Sequence, residues 1–257
     1  MARVSFSRLK AMMEPWYPEI QGEERERQVE LHNAVQKLDK DEVQSCLDKG
    51  TDPDRCLGGE GWKSNNPIRL LNRKFYRTYG RLKRGEEISD PAPDVATLQA
   101  LVEGGADINR EPYVWQRVFL WNKTDTDNIL KQPIRAHYDI PKPTQEEAEA
   151  EAVSYIKDAN RILEALLRAG ANPDKLGHPV PYTPSEESNF ITDEEAAVFF
   201  AQGTRPINEA IKKGMVWESQ VDLLLQYTKL DEASLEAARE SNDPGMVDKI
   251  TKLWNEM

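Results

Sequence analysis

Four stretches of this 257-residue chain hold residue types that could do chemistry. The run Leu57-Gly-Gly-Glu-Gly61-Trp62-Lys63-Ser64 has the composition of a phosphate-binding loop. That loop needs glycine directly before the lysine and again five residues earlier, where Trp62 and Leu57 stand, so a glycine-rich hairpin tip is expected. The cluster Glu146, Glu147, Glu149 and Glu151 could pair carboxylates for acid–base work. No histidine or metal-ligand set accompanies it, and a solvated helix face is expected. His137-Tyr138-Asp139 sets an imidazole near a carboxylate, but no motif supplies a nucleophile. Cys46 and Cys56, with His32, His137 and His178, lack the spacing of a zinc site, and both thiols are expected to be reduced. The residues thus propose no catalytic, cofactor-binding or metal-binding set, and an enzyme assembled from the chain's insertions is the third reading.

Binding chemistry is better represented. Between Gly61 and Gly85 stand Lys63, Arg69, Arg73, Lys74, Arg77, Arg81, Lys83 and Arg84, with no acidic residue. Arg69, Arg73, Arg77 and Arg81 recur at every fourth position, which lines them along one helix face. Like charges so placed repel, so they are either paired internally, with Glu146 to Glu151, or exposed to an acidic or phosphorylated partner. Tyr76 and Tyr79 could join such a contact. Of Trp115 and Trp121, one is expected to be an exposed anchor.

A net charge of −11 argues against nucleic acid as a partner, because phosphate recognition needs a positive face. No run of about 18 apolar residues could span a membrane. The first residues lack the apolar stretch of a signal peptide, so a cytoplasmic location is expected.

The elements that must position these residues announce themselves by repetition. Leu47-Asp-Lys-Gly50-Thr-Asp-Pro-Asp54 is echoed by Val102-Glu-Gly-Gly105-Ala-Asp-Ile-Asn109 and by Leu167-Arg-Ala-Gly170-Ala-Asn-Pro-Asp174. Before each glycine lies an apolar stripe at i, i+3, i+4: Val43, Cys46 and Leu47; Leu98, Leu101 and Val102; Leu163, Leu166 and Leu167. Each glycine suits a left-handed helix C-cap. A unit of two short helices cannot cover its own apolar face, so units must stack.

The run Leu31-His32-x-Ala34, a turn with Asp39 and Glu42 as a capping box, and Gly50-Thr-Asp-Pro resembles an ankyrin repeat. Related openings stand at Asn66-Pro67-Ile68, Gln132-Pro133-Ile134 and Arg205-Pro206-Ile207. A last unit follows, with Asp243 as N-cap and Pro244 at the first helical position. The resemblance implies an all-α, ankyrin-like helical solenoid of about five repeats, and it implies that His32 hydrogen-bonds within the repeat turns. It also implies a protein-interaction module or scaffold without catalysis, binding another protein through its concave face. The tip residues Asp52, Asp54, Arg55, Asn109, Arg110, Asp174 and Lys175 are then candidates for the contact. The basic helix (Arg73, Arg77, Arg81) and Trp115 and Trp121 are further candidates. An inhibitor or immunity-type protein that occludes a basic enzyme is the alternative. The chain is expected to be a monomer on its own.

The family period of about 33 residues is exceeded here. Gly50 and Gly105 are 55 residues apart, and Gly105 and Gly170 are 65. Insertions are therefore expected: a long first helix from Arg69 to Arg84, an added aromatic helix in 111–130, and a helix of about 25 residues from Thr144 to Ala169. An irregular hairpin over 172–190 and an apolar helix capped at Thr192 complete them. Residues 1–27 are expected to cap the first unit, ahead of one repeat domain over 28–257.

Overall fold

The computed structural model describes residues 3–5, 20–57, 66–72, 91–120, 153, 156, 160–177, 190–192 and 203–257. Among them the chain is mostly helical. Helix α1 (Gly22–Lys37) buries Gln28, Leu31, His32, Ala34 and Val35, and it ends at Leu38, whose φ of 60° is left-handed. Asp39 caps α2 (Lys40–Asp48) by accepting the Glu42 N–H at 2.9 Å. The other half of the expected capping box does not form. The Ala34 carbonyl takes the Asp39 N–H at 3.1 Å, and the Glu42 carboxylate turns to Lys37 at 3.0 Å.

Four more pairs follow: α3 (Pro67–Asn72) with α4 (Pro93–Glu103), α5 (Tyr113–Leu120) with α6 (160–168), α7 (Pro206–Lys212) with α8 (Glu218–Leu225), and α9 (Glu232–Glu240) with α10 (Pro244–Asn255). The first helices form a row in which α1, α3, α5, α7 and α9 each pack on the next. The second helices form another. There α2 packs on α4, and Arg161 of α6 pairs with Asp94 of α4 at 3.3 Å. Asn160 beside it donates to Ser219 of α8 at 3.2 Å, and Lys249 of α10 reaches Glu218 and Asp222 of α8 at 2.8 and 2.6 Å. One apolar core runs through all five pairs, from Leu31 to Ile250. Burial of this continuous stripe is the main stabilising term, because no pair could bury it alone.

The three glycine-closed helix ends are alike. Gly50, Gly105 and Gly170 have φ of 80°, 93° and 90°. Their N–H groups donate back to Leu47, Val102 and Leu167, while Thr51, Ala106 and Ala171 donate to Cys46, Leu101 and Leu166. This two-bond closure needs a left-handed residue, the conformation glycine adopts without a Cβ penalty. Asp243 caps α10 with Pro244 in the first turn, as expected.

Several expectations change. The charged run Glu23 to Arg27 is helical and belongs to α1, so a boundary at residue 27 falls within a helix. Backbone 3–5 pairs antiparallel with 190–192, so Thr192 ends a strand, and the helix expected after it lies outside the described residues. The aromatic helix α5 is not an addition to the stack: it is the first helix of the third pair, seated between α3 and α7. The expected opening at Gln132 to Ile134 lies outside the described residues, as does the first-helix extension beyond Asn72. No helix among the described residues is long and apolar enough to cross a membrane.

Candidate functional site

Directly after each closing glycine the chain makes the same small turn. The Asp52, Asp107 and Asn172 side chains accept the N–H two residues on, from Asp54, Asn109 and Asp174, at 2.8, 2.9 and 2.8 Å. Short side chains that bond their own backbone in this way fix a tight loop. The third residue of each turn then reaches the next tip. Asp54 Oδ2 accepts the Asp107 N–H at 2.9 Å, and Asn109 Oδ1 accepts the Asn172 N–H at 2.7 Å. Asp174 accepts from Arg205 Nε at 3.0 Å and from the Thr228 hydroxyl. The result is a hydrogen-bonded ladder that joins four successive units along one edge.

The expected cations are engaged in this ladder. Arg110 Nη1 donates to the Asp54 carbonyl at 3.1 Å. Lys175 Nζ donates to the Asn109 carbonyl and, at 3.2 Å, to that of Arg110. Arg55 faces Glu24 at 3.6 Å, and its carbonyl and that of Asp52 accept from the buried Gln28 amide at 3.0 and 2.9 Å. Gln28 in turn gives its own carbonyl to His32 Nδ1 at 2.8 Å, so His32 bonds within α1. The seven tip candidates thus form one continuous edge, and the isolated protein already uses much of their hydrogen-bonding capacity.

Residues that the sequence reading passed over hold the edge together. Arg205 donates to Asp174, to the Thr228 hydroxyl, to the Lys229 carbonyl at 2.9 Å and to Asp231 at 2.7 Å. Burial disfavours its charge, but the two carboxylates more than offset this and hold its pKa above the usual arginine range. Burial likewise pushes the Asp231 carboxyl up, yet hydrogen bonds from Arg205 and Ser234 hold it below the ordinary value. Burial raises Asp54, whose like-charged neighbours are Asp52 and Asp107. A parallel contact joins the second and third pairs: Asn66 Nδ2 donates to Glu111 at 3.0 Å and to the Tyr113 hydroxyl at 2.6 Å. Asn66, Glu111 and Arg205 each directly precede the proline of a first helix. That shared position was the one available signal for this second set of links.

Trp115 is 4% exposed and therefore no exposed anchor. Its ring packs under Gly177, where an added Cβ would lie 2.0 Å away. Trp121, Arg73, Arg77 and Arg81 lie outside the described residues, as do His137, the Glu146 to Glu151 cluster and Gly58 to Ser64. Cys46 and Cys56 are both buried thiols. Among the described residues no group of His, Cys, Asp and Glu could hold a metal ion. A groove of about 420 Å³ lies between α4 and α6, floored by Val95, Leu98, Val102 and Ala165.

No protein-family model matches the chain, and a search of curated proteins returns no match.

Proposed function

We propose that this chain is a protein-interaction module without catalysis, an ankyrin-like solenoid of about five repeats that presents a preformed edge to another protein. The observation that carries the reading is the tip ladder: Asp54 to Asp107, Asn109 to Asn172, and Asp174 to Arg205 and Thr228. Such cross-links hold successive tips in fixed register, and a surface ordered in advance loses less conformational entropy on binding. The paired helices, the repeated glycine closure and the single core support the ankyrin-like assignment. The contact surface is the edge with its adjoining concave face, or the basic stretch that carries Arg73, Arg77 and Arg81. The chain acts as a monomer in the cytoplasm. The net charge of −11 favours a second reading, an inhibitor that occludes a basic enzyme by electrostatic complementarity.

The test is affinity capture from a native extract with wild type and with Arg73, Arg77 and Arg81 changed to Glu, at low and high salt. One stoichiometric partner lost on charge reversal places the contact on the basic stretch. A partner retained by both proteins places it on the edge and concave face. Recovery of a single basic enzyme whose activity falls on binding selects the inhibitor reading. No partner at either salt removes the interaction reading.

A further inference from the structure

The edge is closed in two different ways along its length. In the first two steps a tip side chain accepts a backbone N–H: Asp107 donates to Asp54, and Asn172 donates to Asn109. The third step differs, because α8 ends without a left-handed residue. Gln226 has a φ of −73°, and the N–H groups of Tyr227 and Thr228 both return to the Leu224 carbonyl, at 2.9 and 3.0 Å. Those donors are spent within the helix end. Asp174, the counterpart of Asp54 and Asn109, meets side chains instead, and its carboxylate accepts from Arg205 and from the Thr228 hydroxyl.

One guanidinium carries this step. Arg205, just before α7, reaches Asp174 of the third tip, the Thr228 hydroxyl and Lys229 carbonyl after α8, and Asp231, the N-cap of α9. A planar fork with donors on three nitrogens can meet two carboxylates, a hydroxyl and a carbonyl at once. Among the described residues no other cation pairs with Asp174 or Asp231. The Arg205 side chain is only 16% exposed, whereas those of Asp174 and Asp231 are 50% and 41% exposed. Water can therefore take over both carboxylates when the contact opens, which keeps the cost of opening small. The helices have supports of their own. Helix α5 packs on α7, Gly177 and Thr204 exchange backbone hydrogen bonds at 3.1 and 3.0 Å, and Asn160 donates to Ser219.

We infer that Arg205 is an ionic latch on the edge. Closed on Asp174 and Asp231, it holds the turns after α6 and α8 and the start of α9 in one register. Open, it frees these turns while the helices and the first two steps of the ladder stay in place. The consequence for binding rests on the interaction role proposed above: the latch sets whether this part of the edge meets a partner already ordered. With the latch open, binding must also order those turns, and affinity falls.

Amide hydrogen exchange of the full chain, resolved by NMR, tests the latch in wild type, Arg205→Met and Asp174→Asn. Arg205→Met removes every donor. Asp174→Asn removes one charge but keeps an acceptor, and it decides the matter should Arg205→Met alter the far-UV circular dichroism. The Thr228 amide in either variant, and the Ser234 amide in Arg205→Met, should exchange about tenfold faster than in wild type. The Asp107 amide, which reports the first step of the ladder, should be unchanged. Unaltered exchange at Thr228 and Ser234, or equal acceleration at Asp107, overturns the latch. Capture from native extract with wild type and Arg205→Met tests the consequence separately, and a partner held about tenfold more weakly by the variant is expected. Undiminished capture by a variant whose turns exchange faster overturns the control of binding and leaves the interaction role standing. No partner with either protein overturns the interaction role, while the exchange result still decides the latch.

Discussion

Asn109 grips the tip beyond it with both ends of its amide: Oδ1 accepts the Asn172 N–H at 2.7 Å, and Nδ2 donates to the Gly170 carbonyl at 2.9 Å. Making both contacts at once requires a side chain with a donor and an acceptor on one carbon. Asn109→Ala should therefore destabilise the protein by about 1 kcal/mol, modest because water can reach the exposed partners. Asn109→Asp keeps the acceptor but sets a negative charge against the Gly170 carbonyl, and it should cost at least as much. Urea unfolding followed by far-UV circular dichroism is the check. If the ladder couples units, both variants should also broaden the transition, because neighbouring pairs then unfold less concertedly. An unchanged midpoint in both would show that the contact contributes nothing to coupling.

Asp54 occupies the equivalent place one unit earlier and performs only half of this task. Its Oδ2 accepts the Asp107 N–H, while its Oδ1 is buried without a hydrogen bond. Burial of the carboxylate raises its pKa. In the folded state the proton is held more tightly than in the unfolded chain, so ionisation costs stability once the pH rises past the ordinary value of 3.8. Asp54→Asn retains the acceptor and removes the charge. By the geometry seen at Asn109, its new Nδ2 would meet the Gly105 carbonyl. The variant should be more stable than wild type by about 1 kcal/mol at pH 7, and the gain should shrink as the pH falls toward 4. Paired unfolding curves at pH 7 and near pH 4 decide it, and a loss at pH 7 would contradict the account.

How far the molecule can be read from its residues depends on the range of the interaction. The three glycine closures and the buried stripes before them follow from local spacing, and Gly50, Gly105 and Gly170 adopt the required positive φ. The place of α5 does not follow from spacing. Gln132-Pro133-Ile134 copies the other openings more closely than Glu111-Pro112-Tyr113, yet Tyr113, Val114 and Val118 are the side chains buried in the core beside α3 and α7. An aromatic at 113 suits that site because its hydroxyl meets Asn66, 47 positions back. The tip residues stand out by type, but local spacing does not reveal the carbonyls of the preceding tip that Arg110 and Lys175 reach. Arg205 joins residues 31 positions before it and 26 after it, a relation that no local pattern carries.

Lys213 offers a test by pH. Its ammonium donates to the Val118 carbonyl and lies 4.2 Å from the centre of the Trp217 ring, and burial lowers its pKa from 10.5 to about 8 despite the opposing charge of Glu209. Below pH 8 both states are protonated and the folded state bears the full cost of the buried charge. Between about pH 8 and 10.5 the unfolded chain binds the extra proton, so stability from this group rises with pH. The rise is at most about 1.4 kcal/mol per pH unit. Burial raises Cys46 above 9.0, which acts in the opposite sense at higher pH, but it does so equally in any Lys213 variant. The difference in unfolding free energy between Lys213→Met and wild type should therefore favour the variant most at pH 7 and diminish steadily from pH 8 to 10. A pH-independent difference would mean that Lys213 is well enough solvated to keep its ordinary pKa.

The link between the third and fourth units can be broken at a single atom. Gly177 rests on the Trp115 ring, where an added Cβ would fall 2.0 Å from Cδ2. Trp115 is buried and cannot move without disturbing α5, the helix that carries the first-helix row from α3 to α7. The neighbouring glycine closures fail by a different route, because at Gly105 it is the φ of 93° rather than lack of space that excludes a side chain. Gly177→Ala should thus cost about 1 to 3 kcal/mol by overpacking, and it should also change the tryptophan emission of the folded protein. Gly105→Ala should cost about 1 kcal/mol and leave that emission unaltered. In the double variant Gly177→Ala with Trp115→Leu the smaller side chain makes room for the methyl group, so the penalty of Gly177→Ala measured in the Trp115→Leu background should largely vanish. Strict additivity of the two changes would show that Gly177 is required for a reason other than its contact with the ring.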